Sequence, residues 1–130
     1  MKGSYILLIN LENEQEIQIG KLGKIFFKKG YYAYVGSALN GLSQRIKRHL
    51  SSDKKFHWHI DYLLKFGKVE CAFYKENKLR EECNISKKFE KFKSIPNFGS
   101  SDCKCKSHLF YGLRDEFIAM IDSLNMILFH

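Results

Sequence analysis

Residues 30–50 read GYYAYVGSALNGLSQRIKRHL, and within this one stretch the period of the chain changes. Gly30-Tyr31-Tyr32-Ala33-Tyr34-Val35-Gly36 is strand material, rich in aromatic residues and bounded by glycines. Period two puts Tyr32 and Tyr34 on one face of that strand and Tyr31 on the other. From Asn40 the spacing is helical. Leu42, Ile46 and Leu50 recur at i, i+4 and i+8, with Asn40-Gly41 as the entry.

Before this stretch, Ser4 to Asn10 (SYILLIN) is an apolar run of strand length opening after Gly3. A polar turn at Asn13-Glu14 leads to the alternating Glu16-Ile17-Gln18-Ile19, and Lys24-Ile25-Phe26-Phe27 reads as another strand. After it, His57–Phe66 reads as a second helix, Val69–Tyr74 as a strand and Leu79–Phe92 as a third helix. That helix is stopped before Pro96. Residues 98–103 form a loop and His108–Tyr111 a last strand. Asp115 then caps a final helix whose Phe117, Met120, Ile121, Leu124 and Leu128 make one apolar stripe. The expected class is α+β: a small, mainly antiparallel sheet flanked by helices, with an extra C-terminal helix. Residues 1–112 form the main domain, and 113–130 pack on that same domain.

The 130 residues carry 22 Lys+Arg against 14 Asp+Glu, a formal net charge of +8. Residues 1–20 are net −2, residues 21–55 net +8 and residues 56–130 net +2. The excess therefore equals the charge of one 35-residue stretch, Lys21 to Lys55. Such a localised zone suits a polyanion, nucleic acid first. A composition of 45% hydrophobic and 28% charged residues with a single Pro excludes collagen-like and disordered classes. No apolar run approaches the ~18 residues of a membrane span, and the opening MKGSYILLINLENE reaches acids too soon for a signal peptide. A cytoplasmic location without membrane partners is expected. Cys71, Cys83, Cys103 and Cys105 are then thiols or metal ligands rather than disulfides.

Three features align: Gly3-Ser4-Tyr5 opening the first strand, Tyr34-Val35-Gly36 some thirty residues later, and the basic helix Arg45-Ile46-Lys47-Arg48-His49 directly after it. This arrangement resembles the GIY-YIG nuclease family. The stretches GYYAYVGSA (30–38), HWHIDY (57–62) and FGSSDC (98–103) look like its compact, mainly archaeal Uri-type branch, over residues 2 to about 111. Serine stands where the first motif has a central Ile, and the loop before Arg45 is one residue longer than in many relatives. That leaves Arg45 and Arg48 both able to fill the arginine's place.

The resemblance implies Tyr5 as general base, Tyr34 orienting water or substrate, an arginine and a histidine on the basic helix, and a metal-binding glutamate on a later helix. Phosphodiester hydrolysis needs an oriented water, positive charge on the developing phosphorane oxygens and help for the leaving oxygen. Arg45 and His49, at i and i+4, face one way beside the apolar stripe. Arg45 is read as phosphate stabiliser, Arg48 and Lys47 as backbone contacts, and Tyr32 and His57 as further substrate contacts. A tyrosine of ordinary pKa ~10 acts as base at neutral pH only where positive charge favours phenolate, and the Lys and Arg after Tyr34 can supply it. Glu82 shares a helix face with Ile85, Phe89 and Phe92, and Glu81 with Asn84 and Lys88. An inward carboxylate needs a partner, so Glu82 is the expected ligand for Mg²⁺ or Mn²⁺.

Cys103, Cys105 and His108, with His59 from the second helix, could make a tetrahedral Zn²⁺ set. The spacing matches no standard finger pattern, so these are read first as core and loop residues. His57 and Asp61, at i and i+4, could form an acid-oriented imidazole. Phe56, Trp58 and Tyr62 are read as core rather than as base-stacking platforms. The expected function is a metal-dependent DNA endonuclease of a repair kind, preferring flaps, branches or damage. Its alternatives are a non-catalytic nucleic-acid-binding module and a nuclease core recruited by a protein partner.

Overall fold

A computed structural model describes residues 2–77, 81–100 and 103–130. Its elements run β1 Gly3–Leu11, β2 Gln15–Gln18, a 3₁₀ turn Gly20–Leu22, β3 Lys24–Phe27, β4 Gly30–Ala38, α1 Leu42–Leu50 and α2 His59–Leu64. They continue with β5 Lys68–Glu76, α3 Glu82–Lys88, β6 Lys93–Ser94, β7 Leu109–Gly112, α4 Arg114–Ser123 and β8 Ile127–Leu128. Six strands make one sheet in the order β6-β7-β4-β1-β5-β8 with every pairing antiparallel, and β2–β3 form a separate hairpin. The expected α+β class with a C-terminal helix holds. No helix among the described residues is long and apolar enough to cross a membrane.

β1 sits at the centre because both of its faces are apolar. Ile6, Leu7, Leu8 and Ile9 are all fully buried, and burial of each contributes roughly 1.5–3 kcal/mol. Alternation sends Tyr5, Leu7, Ile9 and Leu11 to one core, with Tyr32 and Tyr34 of β4, Leu42 and Ile46 of α1, and Ile60 and Leu63 of α2. Ile6 and Leu8 face the other, with Ala33, Val35, Ile85, Phe89, Phe117 and Ile121. Tyr31 packs against this second core, so β4 alternates as its pattern predicts. Helices α1 and α2 thus cover one face of the sheet, α3 and α4 the other.

Several boundaries differ from expectation. Leu50, expected in the stripe of α1, is exposed, and His49 is buried in its stead beside Leu42 and Ile46. Helix α2 starts at His59 because His57 and Trp58 turn their backbone N–H groups onto the Asp61 carboxylate. The third helix closes at Lys88, and the chain turns to pair Lys93 and Ser94 with Tyr111 and Phe110 of β7. The expected positions 79 and 80 lie outside the described residues. Asp115 does not cap α4. Leu113 is the cap, and Asp115 and Glu116 sit in the first turn, where negative charge suits the helix dipole. Leu128 is not on the helix stripe either, since the chain leaves α4 after Ser123 and Leu128 pairs with Phe73 in the sheet.

In the β1–β4 register Tyr5 lies opposite Gly36. A Cβ at position 36 would stand 2.4 Å from Tyr5 Cζ, so the ring occupies the space the glycine leaves. Gly36→Ala is therefore expected to destabilise the fold by about 1–3 kcal/mol through overpacking, read as a lower urea midpoint at unchanged slope.

Candidate active site

Because Tyr34 precedes Gly36 by two residues, it is the diagonal cross-strand neighbour of Tyr5, and the ring centroids are 6.4 Å apart. Gly99 lies against the second ring: at φ +71°, a Cβ there would come within 3.1 Å of Tyr34 Cε1. Both phenols are thus sandwiched against glycine backbone, one from β4 and one from the loop after β6.

Helix α1 brings in the next two groups. Gly41, in the left-handed region, turns the chain, and the Arg45 N–H donates to its carbonyl at 2.9 Å. His49 Nε2 is 2.7 Å from the Tyr5 hydroxyl, and its ring lies between Tyr5 and Trp58. Arg45 Nη1 donates to the Ser37 carbonyl at 3.1 Å. The Arg45 and Arg48 guanidinium carbons stand 4.4 and 4.5 Å from the centroid of the Trp58 ring, a double cation–π contact that holds both side chains. Trp58, read as core, does pack against the first core. It is half-buried and lines the cleft; the one hint in sequence is its place just after the basic zone.

The two arginines part at Asp61. Arg48 makes a bidentate pair with this buried carboxylate at 2.9 and 3.1 Å and also donates to the Lys55 carbonyl. It braces α1 against α2 and does not line the cleft, whereas Arg45 does. Burial alone would raise the Asp61 carboxyl. Arg48 and the backbone N–H groups of Trp58 and His57 outweigh it, so the pKa lies below the ordinary carboxylate value. With Asp61 so engaged, the expected Asp61–imidazole pair is not formed. It is the backbone of His57 that Asp61 accepts from, and the His57 ring packs on Trp58.

Glu82, in the first turn of α3, comes from the opposite face of the sheet into the same cleft. Glu81 instead accepts from Asn77 Nδ2 at 2.9 Å. Tyr5, Tyr34, Arg45, His57, Trp58 and Glu82 together line a cleft of about 380 Å³. His49 lies behind Tyr5 and does not line it. Lys47 is exposed on α1 outside the cleft. Tyr32 presents nothing there either: it is buried, packed edge-on against Phe27, and its hydroxyl donates to the Lys28 carbonyl at 2.7 Å. His59 lines the cleft and accepts the Gly99 N–H at 2.9 Å, away from the cysteines. The group expected around Cys103, Cys105 and His108 is completed by Cys83. Cys83 was missed because it stands twenty residues before Cys103 with no motif spacing between them.

Burial dominates the site's electrostatics. It raises the Tyr5 phenol above its ordinary value against the lowering effect of Arg45, and Glu82 and Asp61 add to the rise. Tyr34 is raised for the same first reason, with Tyr5 and Glu82 adding. The surrounding cations therefore do not yield a resting phenolate, contrary to the expectation from charge density. Burial pushes the His49 imidazole down to about 3, with Lys54, Arg48 and Arg45 adding to the fall and Asp61 opposing it. At neutral pH the Tyr5–His49 pair is a neutral phenol bonded to a neutral imidazole. A divalent metal fits this cleft at Glu82, the sole carboxylate among the described residues that line it. One hard oxygen donor in the cleft lining suits an ion that keeps waters and takes substrate oxygens.

Because the folded pKa of His49 is depressed below the ordinary 6.5, its contribution to stability is complete above pH ~6.5 and is lost as pH falls toward 3. Between about pH 7 and pH 5 this amounts to about 2 kcal/mol. His49→Gln, which removes the titration, should lose most of that dependence in urea unfolding at the two pH values. Asp61 acts only at lower pH, below its ordinary carboxylate range.

Residues 4–126 match the family described as Domain of unknown function DUF123. Comparison with curated proteins and with solved structures finds no match. The match spans nearly the whole chain, and includes Tyr5, the second tyrosine motif, the basic helix and Glu82; the chain belongs to the DUF123 family, a GIY-YIG-like family.

Proposed function

We propose that the cleft is the active site of a metal-dependent endonuclease of the Uri type that hydrolyses DNA phosphodiesters. The observation that carries this reading is the convergence of Tyr5, Tyr34, Arg45 and Glu82, from four separate elements, on one polar cleft, with His49 hydrogen-bonded behind Tyr5.

The Tyr5 hydroxyl faces the cleft on one side and His49 Nε2 on the other, so proton removal needs no free phenolate. With the proton of the neutral imidazole on Nδ1, Nε2 accepts the Tyr5 O–H. As a water oxygen attacks phosphorus, its proton passes to the Tyr5 oxygen while the Tyr5 proton passes to Nε2. The opposite oxygen departs with the bonding pair. A bound phosphate adds negative charge beside His49, which raises the imidazole from its depressed resting value as the proton arrives. Tyr34, diagonal to Tyr5, orients the water. Arg45, fixed by Ser37 and Trp58, meets the phosphorane oxygens without having to order itself first. Glu82 would hold Mg²⁺ or Mn²⁺, which would supply Lewis acidity for the leaving oxygen.

Backbone affinity comes from the basic zone, in which Lys24, Lys28, Lys29, Lys47 and Lys55 are exposed. It is salt-sensitive and largely sequence-independent. The described elements include no obvious separate reader of sequence, which favours recognition of shape, as at flaps, branches or damaged sites, and fits a repair role in which a protein partner supplies recruitment.

Labelled single-stranded, duplex and branched DNA are incubated with the chain in Mg²⁺, in Mn²⁺ and in chelator. Cutting is expected with metal and none with chelator. Arg45→Ala should slow the cut by about 10²–10³-fold, the cost of one preorganised charge donor, while DNA affinity stays within a few-fold. Glu82→Ala should abolish cutting and leave affinity intact. Binding without cutting under every condition would move the reading to a binding module.

A further inference from the structure

The cysteine cluster lies apart from the cleft, and the proposed phosphodiester chemistry does not use it. Cys83 sits in the first turn of α3, Cys103 and Cys105 in the loop after β6, and His108 just before β7. The three Sγ atoms and one imidazole nitrogen all lie within 4.8 Å of one another. Thiolates around Zn²⁺ at about 2.3 Å span tetrahedron edges of about 3.8 Å, so closure asks only for small side-chain shifts. We propose that Cys83, Cys103, Cys105 and His108 bind one structural Zn²⁺ ion.

The imidazole is aimed for that task. His108 is buried; its Nδ1 is held 2.5 Å from Ser86 Oγ, which directs Nε2 into the cluster, 3.2 Å from Cys103 Sγ. A hydroxyl on the far nitrogen fixes ring orientation and tautomer, as partners of metal-bound histidines do. All four cysteines of the chain are free thiols, and three of them converge here while Cys71 packs against the second core. Three thiolates, one neutral imidazole and Zn²⁺ carry a net −1. Lys87, Lys104 and Lys106, which line the adjoining cleft with Cys83 and Cys105, supply the compensating charge. Four soft donors select Zn²⁺ over Mg²⁺ or Ca²⁺.

The ion would tie α3 to the loop between β6 and β7 at a place where few backbone bonds do so. Glu82 adjoins Cys83, and the carbonyl of His108 accepts the Val35 N–H beside Tyr34. The site is thus a clamp between two walls of the cleft. Its existence does not depend on what the cleft cleaves.

The test is metal analysis of the full chain purified without chelator, followed by cobalt replacement. About one zinc per chain is expected, and Co²⁺ should give thiolate charge-transfer bands with the intense d–d absorption of a tetrahedral site. Cys103→Ser with Cys105→Ser should drop the ratio below about 0.1, whereas Cys71→Ser and Glu82→Ala keep it near one. Should the double variant fail to fold, alkylation of the unaltered chain decides: Zn²⁺ should shield Cys83, Cys103 and Cys105 from iodoacetamide and leave Cys71 unaffected. A metal-free chain that takes up no Co²⁺, with all four cysteines alkylated equally with and without Zn²⁺, would overturn the proposal.

Discussion

The register of β1 against β4 is the constraint on which the cleft depends. Nine residue pairs, from Gly3 opposite Ala38 to Leu11 opposite Gly30, hold Tyr5 beside Gly36 and therefore diagonal to Tyr34. A slip of one residue would send Tyr5 to the second core and Ile6 into the cleft. Both faces of β1 are packed, so the slip would disrupt two cores at once and not merely expose one. The arrangement of the tyrosines is thus enforced by ordinary hydrophobic burial on the far side of the sheet, where no site residue except Glu82 originates.

Within the cleft, burial and charge are divided between layers. The phenols and the His49 imidazole are deep and neutral; Arg45 and Glu82 hold the charge at the rim, from opposite faces of the sheet. Arg48 holds its charge behind the rim, where Asp61 takes up both of its hydrogen-bonding arms. The buried carboxylate also accepts the N–H groups of His57 and Trp58 just before α2, so a single side chain closes the entry to α2 and fastens α1 to it. A buried ion pair of this kind is strongly destabilising to break, because either partner left alone would be a buried or half-buried charge.

The longer strands were legible in the sequence because alternation and apolar runs are local signals, whereas the two-residue strands β6 and β8 carry neither. The resemblance carried by the two tyrosine motifs and the basic helix pointed to Tyr5, Tyr34, Arg45 and Glu82, and all four line the one cleft. What escaped notice depends on contacts across the chain. Arg48 looked free on its helix until Asp61, thirteen residues on, came against it. Tyr32 shares a face with Tyr34 but stands further along the strand, where the turn at Lys28 meets its hydroxyl. Leu50 fits an i+8 stripe, yet the helix ends there and His49 takes the inward place because Tyr5 offers it a hydrogen bond. Leu128 fits a helical stripe too, but sheet pairing with Phe73 overrides the periodicity. Cys83 carried no spacing signal at all, as nothing in a linear pattern says that a helix will fold back onto a loop twenty residues later.

Trp58 is the only tryptophan in the chain, and it stands in the cleft wall under two guanidinium groups. Its indole emission therefore arises from a single, known position, and seven tyrosines do not interfere when excitation is set at the red edge of the absorption band. Guanidinium contact and solvent polarity both alter indole emission, so any molecule that enters the cleft and draws Arg45 off the ring changes intensity or wavelength directly. The protein carries its own optical gauge of occupancy, with no label attached, and the fluorophore is part of the surface being observed.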